Sequence, residues 1–96
     1  MAEQGELSQE ELLEQIRQLK VSDLLLSMLP TLAQLGYAKL EAEGRDFEQA
    51  KLAIESLRAL TAVLAGAVPA EIVKDFEQAA ANLQLAYAQA AQEDAG

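Results

Sequence analysis

VSDLLLSMLPTLAQLGYAKL, residues Val21 to Leu40, is more apolar than a helix covering one side of a small domain requires. On a wheel of about 100° per residue, Val21, Leu24, Leu25, Leu26, Met28, Leu29, Leu32, Ala33, Leu35, Tyr37 and Leu40 fill an arc of roughly 220°. A surface helix uses a stripe of about 100° or a little more. The surplus predicts that this helix is covered from two directions, by its own chain and by a second copy. Leu25, Leu26, Met28, Leu29, Leu32, Ala33 and Tyr37 are the expected interface, with Leu52, Ala59 and Val63 as a second choice. Pro30 removes one amide donor and clashes with the carbonyl of Leu26, so the sequence predicts a kink there.

Helix signals continue on both sides. Ser8 and Glu11 form a capping box, and Leu7 and Leu12 stand where a hydrophobic staple would close it. The narrow stripe Leu12, Ile16, Leu19, widened by Leu13, gives a short amphipathic helix that can dock weakly. Ser22 is a plausible N-cap for the long helix and Gly44 its C′ residue. Asp46 with Gln49 opens the next helix and Gly66 closes it. Its stripe is Phe47, Ala50, Ala53, Ile54, Leu57, Leu60 and Leu64, while Glu48, Lys51, Glu55 and Arg58 suggest an ion-paired solvent face. Pro69 suits the first position of the last helix, whose single stripe is Ile72, Phe76, Ala79, Ala80, Leu83, Ala86, Tyr87 and Ala90.

The expected architecture is therefore all-α: a small bundle of three main helices and a short N-terminal amphipathic helix, completed by dimerisation. Its helices fall at about 8–20, 22–43, 46–65 and 69–92, in one domain flanked by disordered tails at 1–7 and 93–96. Ninety-six residues leave a large share of surface exposed when folded alone, which a second copy would relieve. Gly36 lies in the apolar arc, either as a close-approach point or as a weak spot. Tyr37 and Tyr87 suit core or interface positions with the hydroxyl reaching water, and Met28 is a core filler.

Composition narrows the chemistry. With no His and no Cys, the commonest general base, the commonest metal ligand and the thiol nucleophile are all missing, so we expect no enzyme, cofactor or metal. Glu11 with Glu14, and Glu71 with Asp75 and Gln78, match neither a calcium loop nor a carboxylate di-metal bundle. The glycines form no phosphate loop. The net charge of -9 sits mostly near the ends and repels phosphate, so neither nucleic acid nor an anionic membrane is an expected partner. No basic-then-apolar leader opens the chain, and the longest apolar run is interrupted by Ser22, Asp23, Ser27, Pro30 and Gln34. A cytoplasmic location is the expectation, in keeping with the absence of cysteine.

Three segments resemble a family of short bacterial helical domains of unknown function. They are Gln18 to Leu26 (QLKVSDLLL), Asp46 to Leu60 (DFEQAKLAIESLRAL) and Asn82 to Ala88 (NLQLAYA), within a match over residues 18 to 90. In that family a long apolar helix with a Leu-Gly near its end precedes a D-L-x-x-A-x-x-x-I-x-x-L helix, and the last helix ends in L-x-x-A-Y. Pro30 departs from the pattern. The resemblance implies a small cytoplasmic all-α protein and carries over no functional residue. The expected role is a non-enzymatic structural or interaction module that self-associates. An acidic adaptor for a basic protein is the alternative, followed by a carrier with an apolar cavity for a small molecule.

Overall fold

The computed structural model describes residues 8–95. It contains four helices, α1 (Gln9–Gln18), α2 (Val21–Ala38), α3 (Phe47–Leu64) and α4 (Ala70–Ala95), and no strand among the described residues. The last three pack on one another pairwise, and the fold is an all-α bundle. By contrast, no Cα of α1 lies within 8 Å of a Cα in another helix. The expected tail at residues 1–7, the staple residue Leu7 and Gly96 lie outside the described residues.

Local chemistry sets each boundary. The Ser8 hydroxyl accepts from the Glu11 N–H at 3.1 Å, and the Glu11 carboxylate accepts from the Ser8 N–H at 3.0 Å, completing the capping box. The helix stops at Gln18, before the expected residue 20, because Leu19 and Lys20 adopt extended backbone (ψ 140° and 133°). These two residues separate α1 from α2, which starts at Val21 with Ser22 inside its first turn instead of at its cap. Pro30 is solvent-exposed, and α2 continues as one helix through it.

The helix ends at Ala38, well before residue 43. Here the chain leaves the helical path to sink Leu40 into the core, where the side chain is buried. The Asp46 N–H then donates to the Lys39 carbonyl at 2.8 Å, and Gly44 turns the chain at φ +76°. Helix α3 begins as expected, with the Asp46 carboxylate accepting from the Gln49 N–H at 3.2 Å. Pro69 stands one residue earlier than expected: its carbonyl accepts from Ile72 and Val73, which makes it the residue before α4.

Helix α4 runs to Ala95, so residues 93 to 95, expected as a tail, are helical. Arg45 accounts for this. Its guanidinium donates to the carbonyls of Leu40 (2.9 Å) and Ala90 (3.2 Å) and to the carboxylates of Glu93 (3.1 Å) and Asp94. Only 11% of the Arg45 side chain is exposed. Burial works against the charge, but the hydrogen bonds and negative charges of Glu93 and Asp94 outweigh it and raise the arginine's pKa further. The guanidinium also lies 5.9 Å from the centre of the Phe47 ring, which meets Tyr87 edge-on at 5.2 Å and 69°. One side chain thus ties the α2–α3 turn to the end of α4.

The core is aliphatic and lies among α2, α3 and α4. Leu29, Leu57, Leu64 and Leu83 are its largest fully buried side chains. Thr61 is buried with its hydroxyl donating to the Leu57 carbonyl at 2.6 Å. Gly36 is a close-approach point: a Cβ there would lie 2.7 Å from Leu83 Cδ2 and 3.2 Å from Ala53 Cβ. Glycine lets α2 settle onto both neighbours. The proposed ion pairs among Glu48, Lys51, Glu55 and Arg58 do not form within 4 Å; α3's charged face is simply solvated.

Candidate functional site

Chemistry that needs converging groups has little to work with. Among the described residues, no three acids come together to hold a metal ion, and no helix is long and apolar enough to cross a membrane. A cleft at the α3–α4 turn is about 520 Å³ and opens broadly to solvent between Val68, Val73 and Lys74. What stands out instead is apolar surface.

On α2 the surface and the core divide the apolar arc between them. Leu29 is fully buried by its own chain and leaves the set of expected interface residues; it is a core anchor. Leu25, Leu26, Leu32 and Ala33 pack partly against the core, and Met28 (41% exposed) and Tyr37 (43% exposed) face solvent. Tyr37 points to a different side from Met28, about half a turn of the helix away. The exposed stripe is Val21, Leu24, Met28 and Leu35, with Leu24 60% exposed. The sequence reading left the exposed Leu24, Leu35 and Val21 out of its expected interface because the arc was continuous in sequence. The signal that finds them is their spacing: 21, 24, 28, 31 and 35 alternate steps of three and four, as on a coiled-coil seam, with Thr31 the single polar member.

A shallow groove of about 150 Å³ runs beside that stripe, between α2 and α3. Leu32, Leu35 and Lys39 line it from α2, and Gln49, Leu52, Ala53 and Ser56 from α3. Leu52, placed second among the expected interface residues, is exposed in it, and Val63, further along α3 and outside the groove, is exposed as well. No carboxylate lines this groove, although the chain carries sixteen Asp and Glu residues. Clefts on the α3–α4 side, in contrast, contain Glu55, Glu71 or Glu77.

The second apolar surface is α1 itself. Leu12, Leu13, Ile16 and Leu19 are all exposed, and no residue of the helix is buried. An ion pair, Glu14 with Arg17 at 3.2 Å, lies in solvent on the polar side.

No family model, curated protein or solved structure matches this chain. The likeness of its three segments to a family of short helical domains rests on those residues alone.

Proposed function

We propose that this protein is a non-enzymatic structural or interaction module that self-associates through the outer face of α2. The observation that carries the reading is the stripe Val21, Leu24, Met28 and Leu35, exposed beside a groove without a carboxylate. Burying a Leu-sized side chain contributes about 1.5–3 kcal/mol, so several together can offset the entropy of association. An acidic chain resists meeting its own copy wherever carboxylates would face each other. This face avoids that repulsion.

The surface area agrees in size. The chain exposes 7114 Å², where a compact monomer of 10.3 kDa would expose about 5,400 Å². Each partner in a standard interface contributes about 800 Å², well within that difference. The radius of gyration is 18.1 Å, against about 13 Å for a compact chain of about 100 residues. A dimer would bring the ratio of surface to volume back to that of a compact protein.

Sedimentation equilibrium at micromolar concentration tests the reading, with a mass of two copies expected. Leu24→Glu combined with Met28→Glu alters only exposed positions and should give a single-copy mass with α2, α3 and α4 still folded. A wild-type chain that remains a monomer up to about 1 mM would overturn the proposal, since that limit leaves less than about 4 kcal/mol of association energy.

A further inference from the structure

We propose that the self-association is an exchange of N-terminal helices, in which α1 of each copy lies in the α2–α3 groove of the other. The inference rests on the self-association proposed above and specifies how it is built. Helix α1 has ten residues, fewer than the 12 to 15 or so at which isolated helices become even marginally stable in water, and a capping box alone does not make up the shortfall. Among the described residues, no other helix brings a Cα within 8 Å of it. Leu19 and Lys20, extended, carry it away from the bundle as an arm.

A second copy fits as the occupant because each chain carries both halves of the contact. The arm offers Leu12, Ile16 and Leu19 along one side, and the groove offers Leu32, Leu35 and Leu52. On α1 the apolar side is bordered by Gln9 and Gln15, while Glu10, Glu11 and Glu14 lie around the other side of the helix. The groove presents Gln49, Ser56 and Lys39. Neither surface brings a carboxylate to the contact, which two copies of net charge -9 require.

Reciprocity supplies area. One ten-residue helix docked alone is a small contact, but a two-fold axis repeats it, and the α2 stripes of the two copies then lie next to the exchanged arms. Two-fold exchange also closes the assembly at two copies, because each groove is filled by the arm of the copy it has already engaged. A foreign helix would fill the groove and leave α1 exposed; exchange covers both.

The absence of cysteine allows a direct test on the full chain. Chains carrying Ile16→Cys are mixed with chains carrying Leu52→Cys under mild oxidation, and a disulfide joining the two kinds of chain is the expected product. Ile16→Cys chains that pair only with one another would overturn the exchange. So would a chain carrying both substitutions that closes its disulfide within one molecule at high dilution. In a second measurement, Leu12→Glu with Ile16→Glu should weaken association by more than about a thousandfold, because both arms of the dimer lose two buried aliphatic anchors. Both positions are exposed in the single chain and lie outside α2, α3 and α4, so the thermal unfolding of that three-helix body is kept. If that variant associates as tightly as the wild type while Leu24→Glu with Met28→Glu dissociates, helix exchange is wrong and association through α2 stands. A wild type that never associates removes both.

Discussion

Gly36 and Leu29 are neighbours on α2 in the sense that both meet the core, and each turns a sequence pattern into a packing constraint. At Gly36 a methyl group would press on Leu83, which is fully buried and has little room to move. Gly36→Ala gains up to about 1 kcal/mol of helix propensity and loses about 1–3 kcal/mol to overpacking, so the net should be a destabilisation of about 1 kcal/mol in urea unfolding. Leu29→Ala should cost about 2–5 kcal/mol, whereas Leu24→Ala should cost far less stability in the isolated chain and act on association. That contrast separates a core anchor from an exposed apolar position five residues away. The wheel places Leu29 and Leu24 in one apolar arc, and no local rule tells which edge of the arc the chain covers itself. Arg45 was illegible for another reason. Its partners, Ala90, Glu93 and Asp94, lie more than forty residues away, and long-range pairing leaves no periodic trace. Arg45→Ala should speed amide hydrogen exchange over residues 90 to 95 and lower the melting temperature, while α1 is unaffected.

Among the elements, capping signals held at three helix ends and failed at Ser22, Gly44 and Pro69. Ser8, Asp46 and Gly66 act where the sequence puts them, because cap chemistry depends on residues within three or four positions. Helix ends governed by distant contacts were harder. Helix α2 stops early so that Leu40 can reach the core, and α4 continues because Arg45 holds its last turn. The four helices themselves, and the buried stripes of α3 and α4, followed from periodicity alone. Helix α1 has strong local signals, none of its residues is buried and no other described helix comes within 8 Å of its Cα trace, so its stability should depend on association. Ser8→Ala should cost α1 about 1 kcal/mol, seen as faster amide exchange over residues 9 to 18 and little change elsewhere.

At the scale of the whole molecule, the shape combines a three-helix body with a projecting arm, 62 Å along its longest dimension. If two such chains associate, the melting temperature should rise with protein concentration, and a flat dependence over a hundredfold range would contradict dimerisation. Salt gives a second measurement. Raising ionic strength from about 0.01 M to about 0.15 M shortens the screening length from about 30 Å to about 8 Å and weakens repulsion between two acidic copies. Self-association should therefore tighten several-fold as salt is added. Binding of a basic protein by an acidic adaptor would weaken over the same range, so the sign of the salt effect distinguishes the two roles.

Helical class, the number of helices, the caps at Ser8, Asp46 and Gly66 and the inward stripes of α3 and α4 followed from the sequence, since these depend on periodicity and on hydrogen-bonding groups a few residues apart. The same holds for the surplus of apolar surface, which composition and spacing reveal without any partner in view. Tertiary structure alone decided that Leu29 turns inward while Leu24 turns outward, that Arg45 clamps the end of α4, and that α1 stands clear of its own bundle. Each of these depends on where remote segments lie relative to one another, and a one-dimensional pattern carries the affinity of a side chain for the interior without the direction in which the interior lies.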